Sequence, residues 1–153
     1  MKIKIFSRSE IEFFVKEIKE PTLIISIRCS GDSSKPEIEG NPFVKKILFL
    51  RFDDVEEHEK FSNYVPMSDE DALKIKEVVE ETKEKVTEIW VHCDAGVSRS
   101  AGVAAAIGKY LNDNDMFVFG SPRYSPNITC YRKTLNALID DSEIDLEKNK
   151  IQW

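Results

Sequence analysis

Short apolar runs alternate with amphipathic stretches along this chain, and the alternation predicts strands and helices in turn. Lys2-Ile3-Lys4-Ile5-Phe6 switches between polar and apolar at every residue and reads as a strand at a sheet edge. Ser7-Arg8-Ser9-Glu10 has the capping-box spacing; Ile11, Phe14, Val15 and Ile18 then share a helical face, and Pro21 closes that helix. The next run, TLIISIR over residues 22–28, is almost wholly apolar, as expected of a strand covered on both faces. Residues 31–42 have the Gly, Pro, Asp, Ser and Asn density of a loop. A third strand is predicted over residues 46–52 (KILFLRF), running into Asp53-Asp54. The polar stretch 55–66 is long for a connection in a chain this short, and long connections are often functional.

Ser68-Asp69-Glu70-Asp71 caps a second helix, in which Ala72, Ile75, Val78, Val79 and Val86 keep helical spacing and Glu and Lys fill the solvated face. Residues 87–92 form a fourth strand. An alanine-rich helix with Gly102 and Gly108 starts after Arg99; its small residues predict close approach of its backbone to the sheet. Residues 112–126 read as a second polar connection. A last helix is expected from about Ser125-Pro126, with Ile128, Tyr131, Leu135, Leu138 and Ile139 on one face. The charged tail from Asp141 is expected to fray, with Ile151 and Trp153 able to dock back. Strands alternating with helices imply an α/β fold with a mainly parallel central sheet flanked by helices, in one domain spanning residues 1–153.

Composition narrows the function classes. The chain of 153 residues, 41% hydrophobic and 33% charged, has the make-up of an ordinary globular domain. Its apolar runs are too short to span a bilayer, and MKIKIFSRSE lacks the apolar core of a signal peptide, so a cytoplasmic protein is expected. Three widely spaced cysteines, Cys29, Cys93 and Cys130, suit a reducing compartment better than a disulfide frame, and no His/Cys cluster suggests a metal. A net charge of −6 argues against nucleic acid or anionic lipid as a partner.

Parallel sheets place ligands beyond the carboxyl ends of their strands. Cys29, Asp53-Asp54 and Cys93 follow the second, third and fourth strands. The last of these opens HCDAGVSRS, residues 92–100, a short loop between a strand and a helix. Such a turn leaves backbone N–H groups unpaired at the positive end of a helix dipole, and so forms an anion site. Those N–H groups, with Arg99 nearby, would also stabilise Cys93 as a thiolate. A nucleophile and an anion cradle therefore share one loop. Arg99 can grip two phosphate oxygens with its planar fork. The backbone N–H groups of Asp94, Ala95, Gly96, Val97, Ser98 and Arg99 would hold the rest, with Gly96 giving the tight loop its freedom.

His92-Cys93, five residues, then Arg99-Ser100 resembles the phosphate-binding loop of cysteine-dependent protein tyrosine phosphatases, in particular their small dual-specificity-like, bacterial or phage-type branch. The resemblance implies a phosphatase fold and hydrolysis of phosphotyrosine, or of phosphoserine and phosphothreonine as well, through a cysteinyl-phosphate on Cys93. It implies no metal or cofactor. It gives Ser100 the hydrogen bond to the departing thiolate, and His92 the bracing of the loop from behind. The family's general acid is an aspartate that swings over the bound phosphate. It lies four residues after an apolar strand position, with another apolar residue midway. Leu50, Phe52 and Asp54 reproduce that pattern, which favours Asp54 over its alternative, Asp53; the other would cap the turn or hold a backbone N–H.

The loop has no basic residue between Cys93 and Arg99, and Asp94 would repel further phosphates. The chain also lacks the length for the recognition extension of large tyrosine-specific phosphatases. A monomeric enzyme acting on a singly phosphorylated protein is the expectation. Two other classes fit less well: a rhodanese-like or arsenate-reductase-like enzyme, which needs no upstream acid, and a non-catalytic phosphate-binding module, which needs no thiol. Cys29 is either an inert strand-end thiol or a partner for Cys93 under oxidation. Cys130 is read as packing and His58, among glutamates, as solvated.

Overall fold

A computed structural model describes residues 1–59 and 63–140. Its four strands are β1 (Lys2–Phe6), β2 (Thr22–Arg28), β3 (Val44–Arg51) and β4 (Glu88–His92). They form one sheet in the order β1-β4-β2-β3, and every pairing is parallel. The helices are α1 (Arg8–Phe14), α2 (Asp69–Thr82), α3 (Arg99–Asn112), α4 (Met116–Phe119) and α5 (Ile128–Ile139). This is an α/β domain whose sheet is wholly, rather than mainly, parallel.

Helices on both faces explain why β2 reads as a continuous apolar run: all of its residues are buried. Leu23, Ile25 and Ile27 join Leu50, Ile89 and Val91 in the larger core, shared with α2, α3 and α5. Ile24 and Trp90 point the other way, onto Ile11, Val15, Ile18 and Ile38. Truncating a fully buried residue such as Ile25 to Ala would cost about 2–5 kcal/mol. Because all strands run the same way, Phe6, Arg28, Arg51 and His92 end at one edge of the sheet, and the residues after them converge there.

Both expected helix caps are present, each as a capping box: Ser7 with Glu10 on α1 and Ser68 with Asp71 on α2. The boundaries differ in places. Helix α1 ends at Phe14, and a 3-10 turn (Val15–Glu17) follows. Ile18 is extended there, and Asn41 Nδ2 donates to the carbonyls of Val15 and Ile18, replacing the bonds a continued helix would make. Phe14 consequently leaves the buried face and is 40% exposed. Val86 is buried but lies beyond α2, in a turn closed by N–H bonds from Lys85 and Val86 to the carbonyl of Thr82. Strand β3 starts two residues before the expected range and releases Phe52 at its end.

Two further expectations are corrected. The stretch 112–126 contains α4, pinned by buried Val118. Helix α5 begins at Ile128 under an Asn127 cap, and its buried face is Thr129, Cys130, Thr134 and Leu138; Ile128 and Ile139 are exposed. The glycines of α3 serve helix and turn contacts rather than the sheet. A Cβ on Gly102 would stand 2.4 Å from the Asn127 carbonyl oxygen, and one on Gly108 2.5 Å from the Phe117 ring. The expected docking of Ile151 and Trp153 lies outside the described residues.

Candidate active site

Strand β4 delivers His92 and Cys93 to the carboxyl edge, and α3 begins at Arg99. The loop between them is clamped from two sides. Cys93 N–H donates to the Phe6 carbonyl at 3.4 Å and Arg8 N–H to the Asp94 carbonyl at 3.2 Å. On the other side, Ser125 N–H donates to Val97 O and Asn127 N–H to Ser98 O, both at 3.0 Å. Gly96 has φ +72°, and a Cβ there would sit 2.6 Å from the Phe6–Ser7 peptide. Only glycine meets both demands.

Cys93 is 1% exposed. Its Sγ accepts from the N–H groups of Gly96 (3.3 Å) and Ser100 (3.5 Å), and lies 3.1 Å from Ser100 Oγ. Arg99 is also buried. Its Nη1 donates to the Phe52 carbonyl at 2.9 Å and lies 3.6 Å from Cys29 Sγ; Nη2 reaches Asp94 Oδ2 at 3.4 Å. Its Nε is buried and has no partner among the described residues. Burial opposes the guanidinium charge, but the sulfurs of Cys93 and Cys29 and the Asp94 carboxylate outweigh it, so its pKa lies above the ordinary value.

His92 sits behind the loop with no exposed surface. Its Nε2 is 2.7 Å from Ser26 Oγ on β2, and its Nδ1 is 3.2 Å from the Cys93 carbonyl. Burial takes its pKa down to about 4. It is therefore neutral at pH 7, packed between Ser26 and the Cys93 carbonyl.

Asp53 and Asp54 separate cleanly. The Asp53 side chain turns inward, 8% exposed. Its Oδ1 accepts from Ser30 N–H (2.9 Å), and its Oδ2 from Ser30 Oγ (2.7 Å) and Val65 N–H (2.8 Å). Burial alone would raise its pKa, yet these donors bring it below the ordinary carboxylate value. Asp54 is exposed and faces the loop. Its Oδ1 accepts from Ser98 Oγ at 2.7 Å and Asn127 Nδ2 at 3.0 Å, and among the described residues its Oδ2 has no partner. Asp54 thus has one oxygen that is held and one left without a donor among the described residues.

Sequence reasoning used only the backbone N–H of Ser98 and missed Asn127 and Glu56, which contact this site or support it. Asn127 carried a readable signal, since Asn is a favoured helix cap and follows Pro126. Cys29 lies at the cleft with Sγ 3.3 Å from Asp94 Oδ2; burial and that hydrogen bond raise its pKa. Cys130 is buried in α5, and all three cysteines are free. His58 is exposed.

The strand order, the loop and the helix behind it form the fold that solved protein tyrosine and dual-specificity phosphatase structures share. Solved structures of the same arrangement include the Cydia pomonella PTP-2 phosphatase, 15% identical, covering 89% of this chain and 85% of that one with a TM-score of 0.59. Human DUSP28 is 14% identical over 95% of each chain, with a TM-score of 0.56. A human tyrosine phosphatase-like serine/threonine/tyrosine-interacting protein is 20% identical, covering 84% of this chain and 82% of that one with a TM-score of 0.54. No family model matches the sequence, and no curated protein matches it.

Proposed function

We propose that this chain is a cysteine-dependent phosphatase that removes phosphate from tyrosine, and from serine or threonine that can reach the cleft, in phosphorylated proteins. The observation that carries the reading is the seat of Cys93: a buried sulfur among the Gly96 N–H, Ser100 N–H and Ser100 hydroxyl, one loop away from a buried Arg99 with an unpartnered Nε. An N–H nest and a fixed guanidinium stabilise phosphate charge as it spreads in the transition state.

In this reading the Cys93 thiolate attacks phosphorus in line with the ester oxygen. The S–P bond forms as the P–O bond breaks, and the proton on Asp54 Oδ2 passes to the leaving oxygen. Water then attacks the cysteinyl-phosphate and gives its proton back to Asp54. The S–P electron pair returns to Cys93, steadied by Ser100 Oγ at 3.1 Å. His92 keeps the loop in shape and takes no proton. A net charge of −6 and the Asp94 carboxylate at the mouth support a singly phosphorylated protein as substrate, rather than nucleic acid or membrane lipid. Three free thiols support a cytoplasmic setting, and we infer a monomer.

The test is hydrolysis of a phosphotyrosine peptide and an aryl phosphate by the wild type and Cys93→Ser, with EDTA present. Turnover that vanishes in Cys93→Ser, with vanadate binding retained, is the expected result. Near-normal turnover by Cys93→Ser would refute it. Thiosulfate turnover alone would move the protein to the sulfurtransferases, and phosphate binding without turnover to the binding modules.

A further inference from the structure

The turn that carries Asp54 is tied to the rest of the molecule at both ends and in the middle. Asp53 fixes its start to Ser30 and Val65. Two residues past Asp54, Glu56 reaches the first turn of α5. Its Oε2 accepts from Ile128 N–H at 2.9 Å, and its Oε1 from Thr129 N–H at 2.8 Å and Thr129 Oγ1 at 2.6 Å. Glu57 adds an N–H bond to Thr129 Oγ1 at 2.8 Å and ion pairs with Arg132 and Lys133.

A helix leaves its first N–H groups without intrahelical partners. In α5 the cap residue Asn127 takes only one of them, Cys130 N–H, with its Oδ1. Glu56 takes the other two, and a carboxylate is the group that the positive end of a helix favours. The Nδ2 of Asn127 is thereby free to donate to Asp54 Oδ1 (3.0 Å) and the Val55 carbonyl (3.2 Å). The division of labour is specific: one carboxylate docks the acid turn on α5, and one amide aims the acid.

We propose that Glu56 and Asn127 are positioning residues that hold Asp54 in its proton-delivering place before substrate arrives, so that the acid turn works without a closing movement. The proposal rests on the phosphatase reading with Asp54 as the acid. In this proposal a docked turn takes the place of the swing expected of the aspartate. Neither residue touches phosphate; each acts through Asp54.

The experiment is a double-mutant cycle on the purified full chain. Glu56→Ala and Glu56→Gln are each made alone and with Asp54→Asn, and assayed on phosphotyrosine and on 4-nitrophenyl phosphate, a better leaving group. Glu56→Gln keeps the size and an acceptor oxygen, which guards against loss of the fold, and circular dichroism normalises rates to folded enzyme. Glu56→Ala is expected to lower kcat on phosphotyrosine about 10-fold at unchanged KM, the scale of a small misplacement of a catalytic group. The loss on 4-nitrophenyl phosphate should be under about 2-fold, because an activated ester needs little protonation. In the Asp54→Asn background Glu56→Ala should add nothing, since the two act as one unit.

An equal loss on both esters, a full loss added to that of Asp54→Asn, or an unchanged kcat would overturn the positioning role while leaving the phosphatase reading intact. A wild type inert to both esters would overturn the phosphatase reading and this one with it.

Discussion

Replacing Asp54 by Asn removes a proton and little else. The amide oxygen can still accept from Ser98 Oγ and Asn127 Nδ2, now at 2.7 and 3.0 Å, and its NH2 takes the place of an oxygen that has no partner among the described residues. Folding stability should therefore stay within about 0.5 kcal/mol of the wild type. Turnover of phosphotyrosine should fall about 10²-fold, the lower scale for a positioned acid. At about 1.36 kcal/mol per tenfold, that is about 2.7 kcal/mol of barrier. The loss on 4-nitrophenyl phosphate should be much smaller.

Asp53→Asn should behave in the opposite way. Both of its oxygens are occupied, Oδ1 by Ser30 N–H and Oδ2 by Ser30 Oγ and Val65 N–H. Whichever way the amide turns, its NH2 faces one of those backbone donors. A buried N–H left unpaired costs about 1–3 kcal/mol, which lowers Tm by about 3–9 °C in a domain of this size. Initial rates on the two esters, paired with thermal melts, separate the roles. The two roles must be exchanged if Asp53→Asn gives the leaving-group-dependent loss at an unchanged melting point while Asp54→Asn melts low and slows both esters alike.

Other outcomes follow from the same geometry. Alkylation at mildly acidic pH should inactivate the wild type, Cys29→Ser and Cys130→Ser alike. Burial holds both of those other thiols protonated, with Asp94 adding to the effect at Cys29 and nearby carboxylates at Cys130; survival of activity with Cys93 modified would count against the mechanism. His92, with a folded pKa of about 4 against 6.5 when unperturbed, is neutral in the fold while the unfolded chain takes up a proton between those values. Stability should therefore be complete above about pH 6.5 and fall by a total on the order of 3 kcal/mol toward pH 4. Urea melts across that window should lose this slope in His92→Gln, and an unchanged slope would assign it elsewhere. Gly102→Ala would place a Cβ 2.4 Å from the Asn127 carbonyl, so α5 must shift at a cost of about 1–3 kcal/mol. Phosphotyrosine turnover should drop with it, whereas Gly31→Ala, with open space around it, should leave both intact.

The strands and the Cys93 loop were legible because their signals are local. A continuous apolar run marks β2, capping boxes mark α1 and α2, and HCDAGVSRS carries thiol, glycine and arginine within one turn. The errors fall where a distant contact overrides the local pattern. Asn41, more than twenty residues away, takes the carbonyls of Val15 and Ile18 just past α1, where a continued helix would have used them. The face of α5 is turned by Gly102, which draws in Cys130 and the Asn127 carbonyl and leaves Ile128 at the surface. Glu56 gave no signal at all. In a run of glutamates it reads as solvated surface, and only the fold brings the open end of α5 beside it.

The charge pattern of the mouth follows from the same economy of local contacts. In a chain of net charge −6, the attraction for a phosphate dianion must come from within a few ångströms. Arg99 supplies one full charge, and part of it is already answered by Asp94 at 3.4 Å. The rest comes from fixed N–H dipoles of the 93–100 loop, which fall off over shorter distances than a charge does. Such a cradle stabilises one phosphate at contact and offers little to a second one farther out. Asp94, with 45% of its side chain exposed, makes that second phosphate unfavourable. The Cys29 thiol on the same carboxylate, 3.3 Å away, fixes Asp94 in that posture without neutralising it. On the phosphatase reading proposed above, selectivity for single phosphates would be a property of the loop itself, set by Asp94 next to Cys93.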